Sequence, residues 1–220
     1  MAGLKIDLGC GGKKKEGTIG LDIQPGPGVD QVVDLLGSPL PFPDRSVESV
    51  YSSHFLEHIR DPIPLFAEIT RVAEDGATLE FWTPYAWENS AFIIDHKMFF
   101  NEDHYLHICV WFVDFWEKIL HARWLLREIT YVIHPDVAID LHRRRIPIEH
   151  ALRLYKGVVR EWGVRMEVRR DQPPAESRPL RWIALERNGE RWALERVDVS
   201  AGRYAGENPR AAMEWLSTTR

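Results

Sequence analysis

The chain has 220 residues, a net charge of −5 and two cysteines, with 45% of its residues hydrophobic. That length buries a sizeable core and fits one domain, while the acidic balance argues against the phosphate neutralisation that broad nucleic-acid binding needs, and Cys10 and Cys109 supply neither a disulfide framework nor a zinc set. No apolar run approaches the roughly 18 residues of a membrane span and the N-terminus reads as a strand rather than a signal peptide, so a cytoplasmic protein with no membrane or nucleic-acid partner is expected.

The first apolar run, Leu4, Ile6 and Leu8, reads as a strand that runs into the small-residue turn Gly9-Cys10-Gly11-Gly12. A second run, Thr18-Ile19-Gly20-Leu21, ends in Asp22. Glycine has no Cβ to hold a ligand off the backbone, and an acid at the tip of the next strand can accept hydrogen bonds from two ribose hydroxyls. Together they describe a nucleoside site. A dinucleotide would prefer G-x-G-x-x-G opening into a helix whose amides hold the pyrophosphate. Here the third glycine position is Lys14, and the acid comes well before the roughly 20-residue spacing of a nicotinamide site. A phosphate-free nucleoside is the alternative. Between the glycine turn and the second strand lie only residues Lys13 to Gly17, too few for a crossover helix of about a dozen residues. The first helix must shrink to a turn, and Lys13, Lys14 and Lys15 read as a solvated loop.

Val29 to Val33 reads as a third strand ending in Asp34-Leu35, and a fourth, around Val50, leads to Ser53 and His54. Asp61-Pro62 has helix-start chemistry. Leu65, Phe66, Ile69 and Val72 then recur at helical spacing, Gly76 supplies a stop, and Ala77 to Thr83 reads as a fifth strand. Strands alternating with crossovers imply a parallel sheet with ligand sites at its carboxyl edge.

The turn Asp7-Leu8-Gly9-Cys10-Gly11 is followed in order by Asp34-Leu35, Leu40-Pro41-Phe42-Pro43-Asp44 and His54-Phe55-Leu56-Glu57-His58-Ile59. This succession over residues 4–84 resembles a subgroup of small class I S-adenosyl-L-methionine-dependent methyltransferases. The resemblance implies S-adenosyl-L-methionine as cofactor, held by Asp7, Gly9, Cys10, Gly11, Asp22 with its neighbour Ile23, Asp34, Leu35, Ser53 and His54. Methyl transfer to a hydroxyl or ammonium calls for a base with a pKa near neutrality. His54 is one candidate, and Asp95 and His96 of the segment Asp95-His96-Lys97 are others. Glu57 and His58 read as structural residues bonded to nearby backbone.

Residues 84–163 are expected to form a cap over the cofactor-binding half, 1–83. The stretch is rich in aromatic residues, and Tyr85, Trp87 and His104 are its candidate substrate contacts. Val110 to Trp124 has helical spacing, Leu126 to Ile133 looks like a strand, and Pro147 to Trp162 reads as a helix stopped by Gly163. Arg143-Arg144-Arg145 reads as a solvated run. In the C-terminal portion, 164–220, Asn188-Gly189 between Arg181–Arg187 and Glu190–Val197 signals a hairpin that would add antiparallel strands at one sheet edge. A last helix candidate opens at Asn208-Pro209. Asp95, His96, His104 and His107 lack regular metal-ligand spacing, so no metal is expected.

The expected fold is thus a single α/β domain: a Rossmann-like, mostly parallel sheet with a helical, aromatic-rich cap insertion and a C-terminal antiparallel hairpin. The expected activity is methylation of an oxygen or nitrogen of a small-molecule or sugar-containing substrate, with a homodimer as one way to cover the cap's apolar area. A nucleotide-dependent oxidoreductase and a non-catalytic partner protein of the same fold are the alternatives.

Overall fold

The computed structural model describes residues 3–170 and 177–185, together with Trp215. The turn at Asn188-Gly189, the arm beginning at Glu190 and the helix opening at Asn208 lie outside the described residues.

Strands β1 (Leu4–Leu8), β2 (Ile19–Asp22), β3 (Gln31–Val32), β4 (Val47–Ser53), β5 (Ala73–Pro84), β6 (Arg123–Ile133), β7 (Val159–Arg169) and β8 (Leu180–Ala184) form one sheet in the order β3-β2-β1-β4-β5-β7-β6-β8. Only β7 runs against its neighbours, being antiparallel to both β5 and β6. The parallel half places the ends of β1, β2, β3 and β4 along one carboxyl edge, where open α/β sheets bind their ligands. At the far edge β8 pairs parallel with β6, so the first arm of the expected hairpin adds a parallel strand there.

Helix α1 (Ile63–Val72) starts where Asp61 Oδ1 accepts the Ile63 amide at 3.1 Å. It buries Leu65, Phe66, Ile69 and Val72, the residues whose spacing announces it. Gly76 does not stop this helix. The chain enters β5 at Ala73, and pairing jumps from Val47↔Ala73 to Ser49↔Thr78, so the intervening residues bulge out, with Gly76 at φ +87. Phe66 stacks on Phe81 and tilts onto Trp124, whose indole N–H donates to Thr70 Oγ1 at 3.0 Å. Phe66, Phe81 and Trp124 belong to the larger of two apolar clusters, which among the described residues takes in every helical member of either. The smaller cluster, Tyr51, Trp82 and Val132, comes from strands alone.

After β5 the chain forms the cap: α2 (Glu102–Leu106), a π-helical turn (His107–Trp111) and α3 (Val113–Leu120). Two further helices, α4 (Pro135–Arg144) and α5 (Ile148–Leu154), connect β6 to β7. The helix read over 147–162 is therefore shorter than its periodicity suggested: it stops at Leu154, Gly157 takes φ +76, and Val159 to Trp162 belong to β7. Nor is Gly163 a helix stop. It lies opposite Trp82, and a Cβ there would sit 2.6 Å from the Trp82 indole. The glycine exists so that the ring can lie across β7. Gly163→Ala should cost about 1–3 kcal/mol by overpacking, read as a lower urea midpoint; an unchanged midpoint would contradict this packing.

Arg145 ends α4 in the left-handed conformation and lies over the ring of Trp215, which also meets His142. Arg144 pairs with Asp140 at 2.9 Å. The arginine run therefore ends a helix and contacts Trp215. Among the described residues no helix is long and apolar enough to cross a membrane.

Candidate functional site

At the carboxyl edge a hollow of about 330 Å³ is lined by Gly9, Cys10, Gly11, Gly12, Lys13, Ser53 and His54. The end of β1 and the end of β4 meet there because those strands are neighbours in the sheet.

The glycine turn is wound by its own backbone. Gly9 and Cys10 both donate their amides to Leu21 O, at 2.9 and 3.1 Å, and Gly11 donates to Asp22 Oδ2 at 2.8 Å. Gly9 and Gly11 take positive φ, +66 and +54. At Gly9 a Cβ would fall 2.3 Å from Phe55 Cγ, whereas at Gly11 it would meet nothing within 4 Å. So Gly9 is required by packing, and Gly11 faces open space.

No helix follows this turn; residues 11–18 hold turns, a bend and irregular chain. Asp7 explains how so short a link is held. It is fully buried in β1, and its Oδ2 accepts the Lys15 amide at 2.7 Å. This corrects its assignment to the cofactor, since a carboxylate with no exposed surface cannot meet a ligand. Lys14 and Lys15 also differ from a solvated loop, whereas Lys13 is exposed. Lys15 pairs with Glu80 at 2.8 Å and lies over the Tyr51 ring, and Lys14 pairs with Asp30. Lys14 holds the Asp30 carboxyl below its usual range, with help from the Gly20 amide. Ion pairs and one buried acid fasten the link that lacks a crossover helix.

Asp22 stands at the end of β2 with Oδ2 on Gly11 and Oδ1 on the Gln24 amide at 3.0 Å. Each oxygen keeps a second lone pair. Asp34 is exposed, and its Oδ1 accepts the Leu36 and Gly37 amides at 3.0 and 3.1 Å, an Asx-type turn. Leu35 is buried in the core and Ile23 is exposed. Of these four, Asp22 is hydrogen-bonded to a residue that lines the hollow, Gly11.

His54 takes φ +54, and its Nε2 lies 2.8 Å from Glu161 Oε2 while its Nδ1 lies 3.2 Å from Glu57 Oε1. Burial by itself would lower its pKa, but the Glu161 hydrogen bond and the Glu57 carboxylate outweigh burial and raise it. With Nε2 engaged by Glu161 and Nδ1 by Glu57, His54 presents neither ring nitrogen to a substrate proton. That geometry fits an anchor at the floor of the hollow and not a general base. Glu161, 107 residues further on, is the partner that the sequence does not disclose.

The cap candidates do not converge. Tyr85 is buried and donates its hydroxyl to Glu102 Oε2 at 2.9 Å, and Tyr131 donates to the other oxygen at 2.6 Å. Burial first, then the Glu102 charge, drives both phenols far above their usual pKa. Tyr85 is thus a strut beneath the cap and not a substrate contact. Trp87 lies on the surface, where its carbonyl accepts the Gly157 amide at 2.9 Å. His104 caps α2 beside Asn101, and burial lowers its pKa. It lines a separate apolar groove of about 510 Å³ with Phe66, Met98, Phe100, Trp111 and Trp116. His96 and Asp95 lie on the strap before α2: His96 is buried with Nδ1 3.1 Å from Ala91 O, and Asp95 lies 3.2 Å from His58 Nδ1.

Residues 20–81 match the family model described as "Methyltransferase domain". The match bears out the methyltransferase resemblance read from the motifs; it includes Asp22, Asp34, Ser53 and His54, and the glycine turn precedes it. Solved structures similar to this chain include an S-adenosylmethionine-dependent methyltransferase from Mesorhizobium loti, 14% identical over 74% of this chain and 90% of that one, with a TM-score of 0.46. Another, from Archaeoglobus fulgidus, is 17% identical over 75% and 86%, with a TM-score of 0.48. A geranyl diphosphate C-methyltransferase from Streptomyces coelicolor is 13% identical over 76% and 72%, with a TM-score of 0.46. A search of curated proteins finds no match.

Proposed function

We propose that this chain is an S-adenosyl-L-methionine-dependent methyltransferase acting on an oxygen or nitrogen of a small-molecule or sugar-containing acceptor. The observation that carries the reading is the inward winding of the glycine turn. The amides of Gly9, Cys10 and Gly11 are spent on Leu21 O and Asp22, and turns and irregular chain follow in place of a helix. A pyrophosphate needs such amides free and benefits from a helix N-terminus. A phosphate-free adenosyl ligand needs neither. The same observation weighs against the nucleotide-dependent oxidoreductase.

The residues present fit that cofactor. The hollow's volume of about 330 Å³ lies within the roughly 300–1,000 Å³ of small-ligand sites. Asp22 keeps lone pairs for the ribose hydroxyls, Gly11 offers open space, and Ser53 and His54 form the floor. Asp34, at the tip of the strand beside β2, is assigned to the adenine side. When bound, the cofactor would supply a methyl group already activated by a sulfonium charge: the acceptor's lone pair takes the methyl as the C–S bond breaks to a neutral thioether, and the proton of a hydroxyl or ammonium acceptor is lost to bulk solvent. The chain's part is then to hold the acceptor in line and exclude water, which is worth about 7–11 kcal/mol in favourable cases.

The test is turnover. The full chain, incubated with methyl-labelled cofactor and a panel of hydroxyl, amine and sugar acceptors, should release S-adenosylhomocysteine in proportion to one acceptor class. Methylation confined to carbon acceptors would overturn the oxygen or nitrogen assignment. Tight cofactor binding with no turnover on any acceptor would favour the non-catalytic reading.

A further inference from the structure

We propose that Glu57, His58 and His96 bind one divalent cation of the zinc class, fastening the cap strap to the carboxyl edge of the sheet. Glu57 and His58 belong to the 3₁₀ turn Leu56–His58 just after β4, and His96 belongs to the strap that leads into α2. One carboxylate oxygen and one nitrogen from each imidazole lie within 4.8 Å of one another. Two histidines and a glutamate are a zinc-binding set that leaves a fourth position for water or substrate. An oxygen-seeking ion such as Mg²⁺ does not favour two imidazoles.

Three features go beyond proximity. His96 is buried and its Nδ1 faces the Ala91 carbonyl at 3.1 Å. A carbonyl only accepts, so Nδ1 carries the proton and Nε2 keeps its lone pair, which is how metal-binding histidines are held. His58 is held similarly, with Nδ1 3.2 Å from Asp95 Oδ2, and its ring meets His96 edge-on at 4.8 Å between centroids. Glu57 is 1% exposed, and its Oε2 accepts no hydrogen bond among the described residues. The charged group beside it, His54 Nδ1, reaches Oε1 at 3.2 Å. A buried carboxylate so poorly satisfied is costly, and a cation on its other side relieves that cost.

The backbone already brings the two segments together. Glu57 O accepts the amides of Lys97 and Met98, at 2.7 and 3.1 Å. A metal adds a side-chain fastening at the same joint. Ligand atoms in a tetrahedral zinc site stand about 3.4 Å apart with bonds of about 2.1 Å, so the cluster must tighten from its present spread. The His58 side chain, 37% exposed, has room to make that movement. His104 and His107 lie elsewhere: His104 Nδ1 meets Asn101 Oδ1 at 3.1 Å, and His107 accepts the Trp116 indole N–H at 2.8 Å.

The experiment uses the full chain, stripped with chelator and titrated with ZnCl₂ by calorimetry, then with CoCl₂ followed by visible absorption. One ion per chain, the d–d bands of tetrahedral Co²⁺ and a higher melting temperature with Zn²⁺ are expected. His96→Ala and His58→Ala should each weaken Zn²⁺ binding by about 100-fold or more, and Asp95→Asn by about 10-fold, as loss of a histidine's outer partner does. His58 is at the surface, so His58→Ala keeps its fold, checked by circular dichroism. Substoichiometric binding in the unaltered chain would overturn the site. So would Zn²⁺ affinity unchanged in both histidine variants, or Mg²⁺ binding there as tightly as Zn²⁺.

Discussion

Asp22→Ala is expected to weaken S-adenosylhomocysteine binding by about 100-fold, or ~2.7 kcal/mol. The carboxylate has two tasks in this account. It closes the glycine turn by accepting the Gly11 amide at 2.8 Å, and its remaining lone pairs take the ribose hydroxyls. Hydrogen bonds to a charged group are worth about 1.5–3 kcal/mol each, so losing the ribose contacts alone accounts for the figure. Asp22→Asn separates the tasks. Its amide oxygen still accepts from Gly11, but its NH₂ accepts neither from a hydroxyl nor from the Gln24 amide, so a loss of about 10-fold is expected with a fall in melting temperature smaller than that of Asp22→Ala. Asp34→Ala should cost about 10-fold, because that residue is exposed and already holds its own turn. Calorimetry on the three variants reads these values directly, and Asp22→Ala binding at the unaltered affinity would remove the ribose assignment.

Gly9→Ala is expected to destabilise the fold by about 2–5 kcal/mol, a sum of two costs. A non-glycine residue at φ +66 carries about 1–2 kcal/mol of backbone strain. The new methyl would stand 2.3 Å from Phe55 Cγ, and overpacking adds about 1–3 kcal/mol. The strand cannot slide away, because the Gly9 and Cys10 amides are both fixed on Leu21 O. Urea unfolding measures the loss, and Gly9→Ala combined with Phe55→Ala should lose less than the sum of the two single changes. Gly11→Ala is the contrasting case. Its methyl meets no protein atom within 4 Å, so stability should fall by only about 1–2 kcal/mol, while cofactor binding suffers because the methyl enters the hollow. Equal stability losses at the two glycines would contradict the distinction drawn between packing and ligand space.

The parallel half of the sheet was legible because its signals are local. The spacing of Leu65, Phe66, Ile69 and Val72 sets α1, and the short link from Lys13 to Gly17 leaves no room for a helix. What that link does instead was hidden. Asp7 was assigned to the cofactor by resemblance, yet with the crossover helix gone its carboxylate is needed to hold the Lys15 amide. Past β5 local signals mislead. Val159 and Trp162 fit the helical face of residues 147–154 by spacing, but Gly157 at positive φ breaks the helix and β7 takes them. α4 went unread because its sequence, Pro135 to Arg144, presents few apolar residues and ends in arginines. Contacts between distant segments carry no sequence signal at all. The pairing of His54 with Glu161 depends on β7 lying antiparallel to β5, and His96 reaches Glu57 and His58 only because the strap folds back over the end of β4.

The most direct test of the central claim is paired calorimetry on the full chain with S-adenosylhomocysteine and with NADH. The account predicts one S-adenosylhomocysteine per chain and no measurable heat from NADH, since the turn's amides are already engaged. NADH binding at that hollow, competing with or replacing S-adenosylhomocysteine, would contradict it.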